Sequence, residues 1–201
     1  MQTTYTFGDL SIERFIVGPL ENNLYVLTTP SSPEALLIDA TSGDQGLWDD
    51  LLRRNVTRVV ITHGHDDHIG AVPGLRQRGM RVMVGEPDAP MLDGFDTTLV
   101  DNELIWFGDL NLRILATPGH TPGSLCIAPE GCNVLFTGDT LFPGGPGATK
   151  FPGGDFPTII ESVRRIFATF TDETLILPGH GASTTIGAEA GSLDDWIARG
   201  W

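Results

Sequence analysis

The segment VVITHGHDDHIG, residues 59–70, constrains this chain most strongly, because six of its positions hold three of the five histidines and two aspartates. The run VVIT predicts a buried strand that ends at this cluster. Four of the side chains offer the nitrogen and oxygen donors that divalent metal ions of borderline softness accept: His63, His65, Asp67 and His68. Strand alternation points the first two to one side, while the last two lie past a bend and face a second position. The segment predicts a metal site with places for two ions rather than a solvated polar turn, since imidazoles buried beside carboxylates without a metal leave unmatched charge.

The two remaining histidines and one further aspartate occupy similar places in the sequence. His120 in TPGHTPGS and His180 in LPGHGAST each follow a Pro-Gly turn after an apolar run, and Asp139 follows the run NVLFTG. Taken singly, these are an ordinary loop histidine or turn aspartate. Taken with the opening segment, they predict one site at several strand ends. A carboxylate at position 139 is placed to bridge two ions about 3.5 to 4 Å apart.

Short apolar runs between turn residues predict most of the secondary structure. The predicted strands are SIERFIV (11–17), NLYVLTT (23–29), EALLIDA (34–40), TRVVIT (57–62), RVMVG (81–85), ELIWF (103–107), LNLRILA (110–116), SLCIA (124–128), NVLFTG (133–138) and LILPG (175–179). The predicted helices are 44–54, 69–79, 156–170 and 187–201. Two runs of strands, each accompanied by helices, predict an α/β fold of two facing sheets with helices outside.

Composition limits the kind of protein. A chain of 201 residues with 40% hydrophobic and 19% charged residues suits a single domain over 1–201. A formal net charge of −14 argues against nucleic acid or an anionic membrane as a partner. No basic start precedes an apolar run and no apolar segment reaches spanning length, so we expect a cytoplasmic protein. Cys126 and Cys132 suit either a hairpin disulfide or two reduced thiols, and the sequence favours reduced thiols. The oligomeric state is left open.

Five separated motifs resemble the metallo-β-lactamase-fold hydrolases: EALLIDA with Asp39, THGHDDH, PGHTPGS, TGDTLF and PGHG. The resemblance implies an αββα four-layer sandwich with a dinuclear site at one edge. It implies a first metal held by His63, His65 and His120. It implies a second metal held by Asp67, His68 and His180, with Asp139 as the bridge and Asp39 as a partner that orients a histidine. Zinc is the expected metal, and iron or manganese also suit these ligands. The pattern gives Asp66 no ligand role.

Within that family the chain is most similar to the glyoxalase II-like thioesterases in a compact form. Three features carry this similarity: Asp67 rather than a cysteine at the second position, the segment 142–167, and the segment 177–189. The implied reaction is hydrolysis of an S-hydroxyacyl thioester by a hydroxide between two metals, with Asp67 orienting it. Other esters, lactones, lactams and phosphoesters suit the same chemistry. The chain ends about one helix after His180, without the helical domain that helps fuller relatives bind glutathione, so the natural thiol stays open.

Two other readings remain. The persulfide dioxygenases resemble the same scaffold and use one iron held by the equivalents of His63, His120 and Asp139, but the arginine of their Gly-Arg-Thr-Asp-Phe stretch is absent from GATKF at 147–151. A silent binding module is disfavoured by the unbroken ligand set. Lys150 is either a contact for an anionic substrate or a solvated loop lysine. Three aromatic residues line a substrate groove or simply pack on the surface: Phe142, Phe151 and Phe156.

Overall fold

Two β-sheets that face each other form the middle of a computed structural model, which describes residues 3–43 and 45–200. The first sheet has seven strands in chain order. They are β1 Thr3–Phe7, β2 Leu10–Val17, β3 Asn22–Thr28, β4 Ala35–Ile38, β5 Val56–Ile61, β6 Arg81–Gly85 and β7 Thr97–Leu99. β1 to β4 pair antiparallel, as expected for a meander, and β4 to β7 pair parallel.

The second sheet has six strands, and a short separate hairpin lies between two of them in the sequence. The remaining strands are β8 Leu104–Phe107, β9 Leu110–Ala116, β10 Leu125–Pro129, β11 Val134–Gly138, β12 Leu141–Phe142, β13 Gly145–Pro146, β14 Leu175–Pro178 and β15 Thr184–Thr185. The order in the sheet is β15-β14-β11-β10-β9-β8, and β12 pairs with β13. Within this sheet β11 and β14 run parallel.

The helices cover the outer faces of the sheets. They are α1 Gln45–Arg53, α2 Asp66–Ile69, α3 Val72–Gln77, α4 Phe156–Thr169, α5 Ile186–Glu189 and α6 Leu193–Arg199, with 3₁₀ turns at Glu86–Met91 and Ala190–Ser192. The helix predicted from residue 44 begins at Gln45, and Asp44 itself lies outside the described residues. The helix predicted over 69–79 is wrong at its start, because α2 already takes up Ile69 and α3 begins at Val72. The helix predicted over 187–201 is divided into α5, a 3₁₀ turn and α6, and Trp201 lies outside the described residues.

Three apolar layers hold these elements together. Leu27, Ile38 and Phe136 belong to the layer between the two sheets. Trp48, Leu51 and Leu75 join α1 and α3 to the first sheet. Val163, Ile166 and Trp196 join α4 and α6 to the second sheet. The predicted αββα sandwich is therefore confirmed.

Parallel strands from both sheets end at the same edge of the molecule, and hydrogen bonds join the sheets there. Asn23 donates its backbone N–H to the carbonyl of Gly179 over 2.7 Å, and Leu125 donates to the carbonyl of Thr62 over 2.8 Å. Residues that follow β4, β5, β11 and β14 therefore meet at one edge, where loops are free to hold side chains in common.

Five strands were not predicted: β1, β7, β12, β13 and β15. Two smaller expectations also have outcomes in the structure. Both cysteines are free thiols, with Cys126 buried and Cys132 half-buried. Over the described ranges, the helices are too short or too polar to cross a membrane.

Candidate metal centre

All five histidines lie at the edge where these strands end, although not for the reason that strand alternation suggests. β5 ends at Ile61, so His63 and His65 lie on a loop and not on the strand itself. α2 then begins at Asp66, which places Asp67 and His68 on one helical turn. His63 and His65 do lie in one ligand group and Asp67 and His68 in another, but the loop and the helical turn, and not the pleat of a strand, set the directions of these side chains.

The ligand-type side chains fall into three overlapping groups whose donor atoms lie within 4.8 Å of one another. One group is His63, His65 and His120. A second is Asp67, His68 and His180. A third is His63, His68 and Asp139, which connects the other two. The structure thus brings all seven sequence-predicted ligands together, in the two sets of three that the family resemblance implies.

Asp139 lies between the two sets of histidines. Its Oδ2 is 3.5 Å from Nε2 of His120 and 3.5 Å from Nε2 of His180. Its Oδ1 is 3.5 Å from Nε2 of His68. A carboxylate with its two oxygens directed to both sets has the placement of a bridging ligand. Gly179 is required beside it, because a Cβ there would collide with Oδ1 of Asp139.

Hydrogen bonds on the outer side of three imidazoles fix which nitrogen faces inward. Nδ1 of His120 lies 2.7 Å from the carbonyl of Ala148, and Nδ1 of His180 lies 2.9 Å from the carbonyl of Leu20. A carbonyl only accepts, so both Nδ1 atoms carry the proton and both Nε2 atoms present a lone pair to the interior. Nδ1 of His68 lies 2.8 Å from Oδ2 of Asp39. Asp39 therefore occupies the orienting position expected of it.

The ring of His63 is also oriented with Nε2 inward, but by a hydroxyl group that contacts its Nδ1. Thr62 donates its backbone N–H to Oδ1 of Asp39 over 2.8 Å and its hydroxyl to Oδ2 over 2.9 Å. That hydroxyl lies 3.1 Å from Nδ1 of His63 and is left to accept from it. Nε2 of His63 is then a buried acceptor without a hydrogen-bond partner, and Oδ1 of Asp139 is another.

These contacts provide a test of whether a metal ion fits. Buried acceptors without partners are uncommon in folded proteins. Nε2 of His68 and Nε2 of His180 lie 3.1 Å apart, and Nδ1 of His65 lies 2.9 Å from Nε2 of His120. Two inward lone pairs at such a distance repel unless a proton or a cation lies near both. The donor set, nitrogen with carboxylate oxygen, fits zinc, iron or manganese.

The electrostatics of the centre shift pKa values in both directions: the pKa is lowered at His63, His120 and Asp67 and raised at His68 and His180. Burial lowers the pKa of His63 well below its usual value, with the neighbouring His68 and His120 adding to the shift. Burial also lowers the pKa of His120, against the opposing effect of Asp139. Burial raises the pKa of Asp67, but the contact with His180, the charge of His68 and the hydrogen bond from Asn22 outweigh it and leave that pKa lowered.

His68 differs from the other buried imidazoles. Burial acts to lower its pKa, yet the charges of Asp39 and Asp139 outweigh burial and raise this pKa to about 9. His68 is therefore protonated near neutral pH in the metal-free chain. It has to lose this proton before its Nε2 can act as a ligand.

Two buried polar residues at this edge were missed by the sequence analysis. Asn22 donates its side-chain amide to Oδ2 of Asp67 over 2.9 Å and lies 3.5 Å from Nε2 of His180. Asp88 accepts hydrogen bonds from the loops on either side of the first set of histidines. The only signal for Asn22 was an asparagine pair at a turn, and Asp88 lies in GEPDAP, which is typical of a turn.

A cavity of about 460 Å³ opens onto the centre. Its lining among the described residues is Leu20, His65, Asp66, Asp67, His120, Asp139, Phe151 and His180. Of the expected substrate residues, Phe151 lines the cavity, and its ring centroid lies 5.6 Å from that of His65. Lys150 is exposed at the rim, with Nζ 5.6 Å from the Phe151 ring centroid.

The other two aromatic residues lie outside this lining. The ring of Phe142 lies 6.3 Å from the His180 ring, and Phe156 begins α4. Neither belongs to the cavity wall as the described residues define it. Asp66 is exposed at the mouth, as expected for a polar turn residue, although it belongs to α2.

Comparison with known proteins gives the same family as the motifs. A sequence profile described as the Metallo-beta-lactamase superfamily matches residues 17–180. The chain is similar to hydroxyacylglutathione hydrolase GloC of Haemophilus influenzae, with 37% identity over 155 residues, 67% of this chain and 73% of the relative.

Two solved structures resemble this one over most of its length. ETHE1 from Myxococcus xanthus has a TM-score of 0.78 and 29% identity, with coverage of 89% of this chain and 80% of that one. TTHA1623 in a di-iron-bound form has a TM-score of 0.78 and 28% identity, with coverage of 88% of this chain and 96% of that one.

Proposed function

The chain belongs to the metallo-β-lactamase superfamily, and from this premise we propose that it is a dinuclear metal-dependent hydrolase of thioesters of the S-hydroxyacyl-thiol type. The observation that carries the proposal is the convergence of two three-residue ligand sets around Asp139. The similarity to a hydroxyacylglutathione hydrolase at 37% identity supports the choice of substrate.

Each set of residues has a separate task in this proposal. His63, His65 and His120 would hold one ion, and Asp67, His68 and His180 the other, with Asp139 between them. Two divalent ions at these positions would supply a water of lowered pKa and polarise the carbonyl group that is attacked. Hydrolysis adds the oxygen of water to the carbonyl carbon and breaks the C–S bond, which gives a hydroxy acid and a thiol.

We assign Asp67 the role of orienting the attacking water. Its Oδ2 accepts a hydrogen bond from Asn22 over 2.9 Å and lies 3.2 Å from Nε2 of His180. With that oxygen held and the carboxyl group ionised, Oδ1 is left to accept a hydrogen bond at the cavity. Asn22 therefore supports the proposal by fixing the direction of Asp67.

The lining of the cavity supports a substrate with a small acyl group that makes apolar contacts. Leu20 and Phe151 give it two apolar walls beside the ligand cluster. We place an anionic part of the thiol at the rim, near the exposed ammonium group of Lys150. The contact is with a solvated group, so we assign it a role in binding and not in the chemical step.

A mononuclear iron persulfide dioxygenase is the second candidate. Nε2 of His120 lies 3.5 Å from Oδ2 of Asp139, and His63 lies beside both, so three of these residues suffice for a single ion. The di-iron form of TTHA1623 supports iron as a metal that a protein of similar fold can bind. Ala148 stands where that branch has its arginine, and the absence of this arginine weighs against the candidate.

The proposal is tested by substrate comparison on protein loaded separately with zinc, manganese or ferrous iron. Five substrates are presented separately: S-lactoylglutathione, the same acyl group on a smaller thiol, a lactone, a β-lactam and glutathione persulfide. Release of thiol or acid is measured and oxygen uptake is monitored. We expect thioester cleavage to exceed the other reactions, with no oxygen uptake. Preferred opening of the lactone or lactam would overturn the thioester assignment, and oxygen consumption on a glutathione persulfide would favour the dioxygenase.

A further inference from the structure

Asp88 is a carboxylate with 0% exposure that lies in the 3₁₀ turn after β6 and belongs to neither ligand set. It accepts three hydrogen bonds. Gly64 donates its backbone N–H to Oδ2 over 2.8 Å, and Thr121 donates its hydroxyl to the same oxygen over 2.6 Å. Gly123 donates its backbone N–H to Oδ1 over 2.7 Å. A carboxylate with three donors at these distances is well satisfied without a nearby cation.

The three donors come from the two loops that carry the first ligand set. Gly64 lies between His63 and His65, and Thr121 directly follows His120. One carboxylate therefore joins the two loops, which are 55 residues apart in sequence where His65 faces His120. Among the described residues, Asp88 makes no hydrogen bond to the second set or to the residues beside it. The carboxylate that orients His68 of the second set is Asp39, which contacts its Nδ1 directly.

We propose that Asp88 is a positioning residue for the first metal-ligand set, His63, His65 and His120. The inference rests on the proposed metal centre. Asp88 does not touch a ligand; it fixes the distance between the loops that present the ligands. Outer partners of metal ligands typically contribute about 10- to 100-fold in metal affinity.

Close packing leaves these loops little freedom to compensate. A Cβ at Gly123 would lie 2.6 Å from Cγ of Asp88, so the backbone of this loop lies directly against the carboxylate. The hydroxyl of Thr121 also lies 2.7 Å from Oγ of Ser124, which connects both ends of the turn after His120. Replacement of either Asp88 oxygen by a donor would leave a buried N–H group, of Gly64 or Gly123, without an acceptor.

Asp88→Asn is the informative substitution, because it keeps the size of the side chain and replaces one acceptor oxygen by an NH₂ group. Whichever way the amide lies, its NH₂ faces a backbone N–H, of either Gly64 or Gly123. Thr121→Val removes only the hydroxyl donor and serves as a milder variant if Asp88→Asn does not fold. Asp96→Asn is the matched control, since Asp96 accepts from Val82 N–H over 2.9 Å near the same β6 strand but contacts neither loop.

The experiment is a zinc titration of the metal-free proteins, followed by nitrogen-15 NMR of the five imidazole rings. Rings of the first set and of the second set report the two positions separately. We expect Asp88→Asn to weaken zinc binding at His63, His65 and His120 by about 10- to 100-fold, with His68 and His180 little changed. Thr121→Val should give a smaller shift in the same direction. In the metal-free protein, the amides of Gly64 and Gly123 should exchange faster with solvent in Asp88→Asn than in Asp96→Asn.

The outcomes separate this inference from the proposed function. Wild-type binding at both positions in Asp88→Asn would overturn the inference and leave the proposed function intact. Equal weakening at both positions would also overturn it, because it would show a general loss of structure. A wild-type protein that binds two zinc ions and cleaves no thioester would overturn the proposed function alone. A wild-type protein that binds no zinc would overturn both.

Discussion

Four of the five imidazoles in the centre are oriented by what holds the outer ring nitrogen. Carbonyl groups hold His120 and His180, a carboxylate holds His68, and the Thr62 hydroxyl holds His63. Each contact leaves Nε2 directed inward as the nitrogen that can bind a metal, once His68 has lost its second proton, and this arrangement is typical of metal-binding histidines. Asp139 is the ligand-type residue whose oxygens face histidines of both sets.

Asp139→Ala should therefore remove bound metal and most of the activity together. We expect kcat for thioester hydrolysis to fall by more than about 100-fold, since a shared ligand matters more than an outer partner. Metal content by elemental analysis and initial rates check this. The control is Asp109→Ala, which removes an exposed carboxylate in the turn between β8 and β9, outside the cavity lining of the described residues, and should leave both metal and kcat near wild type. Full turnover in Asp139→Ala would contradict a dinuclear mechanism.

Lys150→Ala tests the proposed role of the rim in substrate binding. Because the ammonium group is solvent-exposed, we expect KM for an anionic thioester to rise only about two- to fivefold, with kcat unchanged. A neutral thioester with the same acyl group should show no change. A fall in kcat without a change in KM would mean that Lys150 does not act by binding the substrate.

At the scale of elements, most strands follow from the sequence because buried strands are short apolar runs between turn residues. β2 to β6, β8 to β11 and β14 agree with prediction to within two residues at either end. β1 was missed because Thr3–Phe7 is a mostly exposed edge strand without a clear apolar run. The 3₁₀ turn that carries Asp88 was missed because two prolines, Pro87 and Pro90, make it resemble a loop.

The first turn of α4 lies next to the loop that carries His120. The residue before it, Asp155, stabilises the start of this helix. Asp155 caps this helix by accepting from the N–H of Thr158 over 2.9 Å, and its own N–H donates to the carbonyl of Gly119 over 2.8 Å. Asp155→Ala should lower the free energy of unfolding, because the N–H of Thr158 loses the acceptor that caps the helix. Urea denaturation checks this. Glu161→Ala, at an exposed position within the same helix, should change stability by less than about half as much.

At the scale of the whole molecule, the motifs predicted which residues meet, and the fold supplies the reason. Parallel strands from two sheets end at one edge, and the sheets are joined there by the Asn22–His180 bridge. The contact between the Leu20 carbonyl and His180 spans 160 residues of sequence, and local pattern carries no information about it. Contacts between residues far apart in sequence, and not local secondary-structure propensity, determine which group each histidine contacts.

A centre built from both sheets should couple metal binding to overall stability. Zinc at about 100 times its dissociation constant adds roughly 2.7 kcal/mol to the free energy of unfolding. For a chain of this size, chelation should then lower Tm by roughly 5 to 10 °C. Differential scanning calorimetry with and without a chelator measures this. Asp139→Ala should show little response to the chelator, and an unchanged wild-type Tm would argue against metal bound across the two sheets.

The central claim, a two-ion centre shared by both sheets, is tested most directly by the metal content of freshly purified protein. We expect about two divalent ions per chain, with cleavage of S-lactoylglutathione and no oxygen uptake on the same sample. One iron per chain, with oxygen consumed on a persulfide, would contradict it and would keep the αββα fold while replacing the proposed reaction.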